Sequence, residues 1–246
     1  MNAYTGLAPY YDALMAHADY ASWADYAERC FARQREPVRL VLDLACGTGA
    51  LSCLLAERGY EVVGADASPD MLAMAQARSG GLSNPPLFLC QDMRSLDLYG
   101  TVDAAVCALD SLNYLPDLKA LKQALGRVCL FLRPGGLFLF DVRTPCHFAA
   151  IDGAASVIEE NGLYCVWRTG WNARAMMARH NITLFVQEGA RWRRLDEEHR
   201  QRAYDNEQWE PLLREAGFTD VRTYGDRKNR RPRPEEGRIF VCAWKA

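Results

Sequence analysis

Two features of this 246-residue chain can do chemistry together. One is a glycine turn, Cys46-Gly47-Thr48-Gly49, closing the apolar run Val41-Leu42-Asp43-Leu44-Ala45; the other is Asp66, which ends the next apolar run, Glu61-Val62-Val63-Gly64-Ala65. Glycines let backbone approach a bound ligand, and an acid about 20 residues further on is placed to accept hydrogen bonds from both hydroxyls of a ribose. The pairing predicts a nucleoside site. Ser52 stands where a dinucleotide fingerprint needs its third glycine, which argues against NAD and a nucleotide-dependent oxidoreductase. No Gly-Lys-Ser or Gly-Lys-Thr run is present, which argues against a phosphate-cradling loop for ATP hydrolysis.

The elements that must position these residues follow from periodicity. Strands are predicted at 38–44, 61–65, 87–90, 102–109 and 137–142, alternating with helices and therefore parallel. The fourth is nearly all apolar, as a strand covered on both faces must be, and belongs at the sheet centre. Ser68-Pro69-Asp70 reads as a capped helix start, and Arg133-Pro134-Gly135-Gly136 as the break before strand five. Beyond Val142, segments 163–170, 180–188 and 191–203 show partial alternation and predict antiparallel strands. A helix over 206–216 and strands at 218–224 and 238–244 complete the pattern; Pro211 predicts that this helix starts one turn after Asn206.

Composition sets the frame. A chain this long and 50% hydrophobic suits one α/β domain with an insertion. A net charge of -2 gives no electrostatic case for nucleic acid or an anionic membrane, leaving a small molecule as the expected partner. No 18-residue apolar run occurs and the start lacks a secretory signal, so a cytoplasmic protein is expected. Nine cysteines without a Cys-x-x-Cys pair, among them Cys90, Cys107 and Cys242 in apolar strands, read as reduced packed thiols, with no metal site expected.

The string Asp43-Leu44-Ala45-Cys46-Gly47-Thr48-Gly49 resembles motif I of the class I S-adenosylmethionine-dependent methyltransferases, and the acid after strand two fits the same family. The start, Tyr4-Thr5-Gly6-Leu7-Ala8-Pro9-Tyr10-Tyr11-Asp12, and the segment Glu197 to Tyr204 resemble a bacterial small-molecule subgroup. That resemblance implies a doubly wound, Rossmann-like seven-stranded sheet, its last strand antiparallel, with an antiparallel insertion after strand five. It divides the chain into N-terminal lid helices (1–35), a cofactor-binding core (36–145), the insertion (146–204) and the end of the core (205–246). The implied cofactor is S-adenosylmethionine, its product S-adenosylhomocysteine, and the partner a small-molecule methyl acceptor.

The resemblance also implies a cofactor-binding set: Ala45, Cys46, Gly47 and Gly49 at the turn; Asp66 and Ala67 after strand two; Asp92 and Met93 after strand three; Leu109 at the end of strand four; and Tyr11 from the lid. Asp110, Asn113 and Arg143 are polar groups delivered where strands open into a crevice. The sulfonium already activates the methyl group, so no nucleophilic residue is required. Candidates for a base are Asp110, Tyr114 and His199, with no order among them. Along a strand, Glu197, His199, Gln201 and Ala203 face one side and Glu198, Arg200, Arg202 and Tyr204 the other, so only one set can face the pocket. Two rival readings stand beside this one. The basic run Arg227 to Arg233 would suit an RNA or DNA methyltransferase, and an intact motif I would also suit a non-catalytic S-adenosylmethionine-binding module. No heptad or apolar stripe points to an oligomer.

Overall fold

The computed structural model describes residues 6–246. Tyr4 and Thr5 of the tyrosine-rich start lie outside the described residues. Among the described residues eleven strands form two sheets. The larger takes β1 (Leu40–Leu44), β2 (Glu61–Asp66), β3 (Leu87–Cys90), β4 (Val102–Cys107), β5 (Leu132–Arg143), β10 (Phe218–Gly225) and β11 (Arg238–Lys245). Its order is β10-β11-β5-β4-β1-β2-β3; β1 to β5 are mutually parallel, and β11 runs antiparallel to both its neighbours. β4 is the middle strand and four of its six residues are fully buried, as its apolar sequence requires.

Helices α2 (Tyr20–Phe31) and α3 (Ala50–Glu57) cover one face of this sheet, and α5 (Leu118–Phe131) and α7 (Trp209–Ala216) the other. Their starts are set locally. Asp19 accepts from the Ser22 N–H and Asp117 from the Ala120 N–H, while Ser68 caps α4 (Pro69–Ser79) through the Met71 N–H. The last helix does begin at Trp209, putting Pro211 in the first turn where its missing N–H breaks no helix bond.

Four differences from the sequence expectations have physical causes. Strand five starts at Leu132 rather than Leu137, because Arg133 to Gly136 form a bulge inside the strand. Pairing passes from Val102–Leu132 to Ala104–Leu137, and a side chain at Gly136 would meet the carbonyls of Arg133 and Asp103 at 2.8 and 3.0 Å. The insertion carries an extra strand, β6 (Ala155–Glu160), hairpinned to β7 (Leu163–Asn172) through Asn161-Gly162, and a short helix α6 (Pro145–Ala150). Asn-Gly between such strands is a hairpin signal that was readable. Cys90 is exposed, since it ends an edge strand. Finally, α2 is core and not lid: Trp23 and Tyr26 pack on Phe240 of β11 at centroid distances of 5.3 and 4.9 Å.

β7, β8 (Met177–Glu188) and β9 (Arg191–Arg202) continue an antiparallel meander from β6. Its inner face meets Leu7 and Leu14 from the N-terminal segment. Among the described residues no helix is long and apolar enough to cross a membrane. Trp209 anchors α7: it is fully buried between Phe140 (5.2 Å) and Tyr204 (5.4 Å). Trp209→Ala is expected to lower unfolding free energy by about 3–5 kcal/mol, read from urea denaturation followed by circular dichroism; a loss below about 1 kcal/mol would contradict this packing.

Candidate active site

β1 ends in a turn whose backbone is left-handed at Ala45 (φ 58°), Gly47 (φ 55°) and Gly49 (φ 71°). A side chain at Gly49 would come within 2.9 Å of Ala75 and 3.0 Å of Phe88, so glycine there lets α4 and β3 close in. Around Gly47 a Cβ would meet nothing within 4 Å, leaving an open face over the turn. Asp66 braces that turn: one carboxylate oxygen accepts the Gly47 N–H and the other the Ser68 N–H, each at 2.8 Å. Each oxygen keeps a second lone pair that a ribose hydroxyl can use. The open glycine face beside a half-buried acid fits a nucleoside cofactor. Burial pushes the Asp66 carboxyl above its ordinary value.

Ser52 has a task of its own. Its hydroxyl donates to Asp43 at 2.5 Å, both groups buried beneath the turn. Burial pushes the Asp43 carboxyl up to about 7.

The N-terminal segment is fastened at both ends. Asp12, from α1 (Tyr11–Leu14), accepts the Thr48 hydroxyl at 2.7 Å and pairs with Arg78, whose Nε reaches the Thr48 carbonyl at 3.0 Å. On the other side Glu197 accepts the N–H groups of Gly6 and Leu7 at 2.8 and 3.1 Å, and Arg193 donates to the Tyr10 hydroxyl at 2.7 Å. The segment therefore bridges the glycine turn and the insertion sheet.

Beneath that bridge lies a cavity of about 540 Å³ at the C-terminal ends of β4 and β5, where open α/β sheets bind ligands. Tyr11, Trp23, Tyr114, Trp167 and Phe240 give it an aromatic wall, joined by Leu109, and Asp110, Arg143, His147, Gln201 and Arg238 its polar end. Leu109 and Asp110 are consecutive left-handed residues (φ 55° and 53°), a strained ending to β4 that persists only because its surroundings over-determine it. The determining group is an ion cluster. Arg238 bonds Asp110 at 2.8 Å through one nitrogen and Asp141 through the other, and Asp141 also accepts the Asp110 N–H at 3.3 Å. Burial raises the Asp110 carboxyl, but Arg238, Arg143 and the Gln201 amide outweigh it and hold it below the usual range. Asp141, fully buried, is pushed up to about 6.

From Asp110 a chain of hydrogen bonds enters the insertion. The Gln201 amide donates to Asp110 at 2.7 Å, which leaves its oxygen to accept from His180 Nε2 at 2.9 Å. His180 Nδ1 then accepts from the Thr169 hydroxyl at 2.9 Å, so one neutral tautomer is selected. Burial and the charge of Arg143 push His147 down to about 4.

The proposed base candidates separate in space. Asp110 is committed to two arginines. Tyr114 lines the cavity, its hydroxyl 3.4 Å from His199 Nδ1. His199 stands behind the wall, its side chain buried and its Nε2 2.7 Å from Glu197. Of the two faces of β9, the one carrying Glu197, His199 and Gln201 points inward, while Glu198 and Arg200 are exposed. Asn113 is a bracket instead of a pocket group: fully buried, it exchanges bonds with the Arg143 backbone and donates to the Arg202 carbonyl. Asp92 caps its own turn, bound by the N–H and guanidinium of Arg94, which hold its carboxyl below the usual range; Met93 packs on the core. In the basic run, Arg227 faces the cavity beside Asp226 and Arg230 grips Glu236 with both nitrogens. The residues that sequence reading missed, His180, Thr169, Arg238 and His147, carry no local signal, and the partner of Gln201 carried none either: Gln201 and Arg238 meet Asp110 across 91 and 128 positions.

Fold and site together define a doubly wound, nucleoside-binding enzyme core with a second sheet folded over the ends of β4 and β5. A family profile described as a methyltransferase domain matches residues 41–136. "Putative methyltransferase YqeM" of Bacillus subtilis (strain 168) is 36% identical over 246 residues, covering 99% of this chain and 97% of that one. The crystal structure of an S-adenosylmethionine-dependent methyltransferase from Clostridium acetobutylicum ATCC 824 superposes with a TM-score of 0.86 at 28% identity, covering 99% of each chain. KedS8, a sugar N-methyltransferase from Streptoalloteichus sp ATCC 53650, does so with a TM-score of 0.80 at 26% identity, over 96% of this chain and 93% of that one. The chain belongs to the class I S-adenosylmethionine-dependent methyltransferases, and S-adenosylmethionine is its cofactor.

Two outcomes are expected from this geometry. Asp43 keeps its proton in the fold to about pH 7 but releases it near its ordinary value of 3.8 when unfolded, so its contribution to stability is full below that value and is lost as pH rises toward 7. The stability of Asp43→Asn relative to the unmutated protein should therefore climb across that interval by up to about 4 kcal/mol in urea titrations; a pH-independent difference would refute it. Asp12→Ala should weaken S-adenosylmethionine binding by about two- to fivefold and speed its release in stopped-flow measurements. Unchanged affinity and release would show that the bridge does not restrain the cofactor.

Proposed function

We propose that the chain methylates a small-molecule acceptor held in the cavity under the N-terminal bridge, by in-line displacement at the methyl carbon. The observation that carries this reading is the cavity itself. Its volume of about 540 Å³ lies within the range of small-ligand pockets, roughly 300–1,000 Å³, and it is walled by α1, the ends of β4 and β5, and the insertion. KedS8, which shares the fold, is a sugar N-methyltransferase.

S-Adenosylmethionine held at this site would supply an activated methyl group: the acceptor's lone pair would form the new bond to the methyl carbon as the carbon–sulfur pair returns to sulfur, and the acceptor's proton would pass to solvent. The chain's residues align and enclose. The glycine turn and Asp66 hold the nucleoside end; Tyr11 and Leu109 stand where the turn meets the cavity; Trp23, Tyr114, Trp167 and Phe240 line the space and keep water out. No side chain in the polar end is poised as a strong base, since Asp110 is held ionised between arginines and His147 is pushed down to about 4. The contribution is therefore orientation, a source of up to roughly 10 kcal/mol of barrier reduction. Against nucleic acid, Arg227 and Arg230 of the basic run are already paired with carboxylates.

Isothermal titration with S-adenosylmethionine and S-adenosylhomocysteine should give saturable binding that Asp66→Ala weakens at least about tenfold, with none for NAD. Release of S-adenosylhomocysteine should then follow when small amines, phenols and thiols are supplied. Turnover confined to added RNA or DNA would refute the small-molecule reading.

A further inference from the structure

Six charged aspartate and arginine side chains line the cavity: Asp19, Asp110, Asp226, Arg143, Arg227 and Arg238. Five are engaged. Arg238 is spent on Asp110 and Asp141, and the two carboxylate oxygens of Asp110 serve Arg238 and Gln201. Asp226 accepts from Arg227, and Asp19 accepts the Ser22 N–H and lies 3.9 Å from Arg227.

Arg143 differs. Its backbone is pinned by Asn113 on both sides, so its position at the end of β5 is fixed. Its side chain, 30% exposed, is ion-paired through Nε with Asp110 at 3.5 Å but makes no side-chain hydrogen bond among the described residues. Among the described residues its two terminal nitrogens have no hydrogen-bond acceptor. Those donors open onto the cavity, where a charge-assisted bond to an oxyanion is stronger than one to a neutral acceptor, and the planar fork of the guanidinium matches an oxyanion's geometry. Neutral His147 beside it adds no repulsion and no competing charge.

We infer that the methyl acceptor carries an oxyanion, a carboxylate or phosphoryl group, that docks on the terminal nitrogens of Arg143, making Arg143 the residue that selects the acceptor by charge. This rests on the small-molecule reading of the cavity. A cationic acceptor without such a group finds no open carboxylate there, since each one already has a partner. Docking at the end of β5 puts the charged end of the acceptor at the polar end of the cavity and the remainder against its aromatic wall.

The test uses the full chain loaded with S-adenosylhomocysteine, titrated with acetate, inorganic phosphate, acetamide and ethylammonium, in the unmutated protein, Arg143→Gln and Arg143→Lys. Acetate or phosphate should bind at least about tenfold more tightly than acetamide or ethylammonium, and should lose at least about tenfold in Arg143→Gln. Arg143→Lys, which keeps the charge but not the fork, should fall between. S-Adenosylhomocysteine affinity should stay unchanged in both variants, which shows that they are folded. Preference for acetate assigns a carboxylate and preference for phosphate a phosphoryl group. Absence of saturable anion binding, or equal binding in Arg143→Gln, overturns the inference. If small uncharged acceptors are nevertheless turned over, the small-molecule reading survives that failure; if only RNA or DNA is turned over, both fall together.

Discussion

The ion cluster of Arg238 with Asp110 and Asp141 is the interaction on which the site depends. It ties together the ends of β4, β5 and β11, three neighbouring strands of which one runs against the others. Buried pairs of this kind are weak sources of net stability, yet removing one partner leaves an uncompensated charge and costs about 3–5 kcal/mol. Its value here is geometric. It holds two successive left-handed residues at the end of β4, where strain without such restraint would relax, and presents Asp110 to Gln201 of the insertion. Burial, with the Asp110 charge added to it, pushes the Asp141 carboxyl up to about 6 against the opposing pull of Arg238.

The antiparallel course of β11 is what brings Arg238 to this cluster. Running against β5, it starts at Arg238 beside the strand ends that carry Asp141 and Arg143, with Arg238 paired in register opposite Arg143. A strand parallel to its neighbours would have delivered its first residue to the far edge of the sheet. Its middle, Phe240, meanwhile packs under Trp23 and Tyr26, so one short strand supports both the floor of the cavity and the helix that precedes the nucleoside turn.

Enclosure comes from a second constraint, the doubly fastened N-terminal segment. Asp12 holds it to the cofactor turn, and Glu197 and Arg193 hold it to the insertion. A segment fixed at both ends shuts the space between two sheets without needing a large apolar interface of its own. The Thr169–His180–Gln201–Asp110 chain runs along the same boundary, so the insertion sheet is coupled to the ends of the core strands by polar contacts whose donors and acceptors are matched in sequence.

What could be read from residues alone was whatever is encoded locally. The strand–turn–helix at Val41 to Leu55, the acid after β2, the Ser68 cap and the central place of β4 each rest on neighbours in sequence and on simple periods, so they were legible. So was the delayed start of the last helix at Trp209, because Pro211 forbids an earlier hydrogen bond. By itself the sequence determined a parallel core, a nucleoside turn and the character of the insertion. Tertiary structure alone decided that α2 is core, that Asn113 is a bracket, that Asp92 is held by Arg94, that His199 lies behind the wall and that Arg143 keeps its donors open. The physical reason is that each of these depends on which partner arrives from elsewhere in the chain or from across a packed face. A side chain's role is settled by the lone pairs and charges that meet it after folding, and no spacing rule reports those.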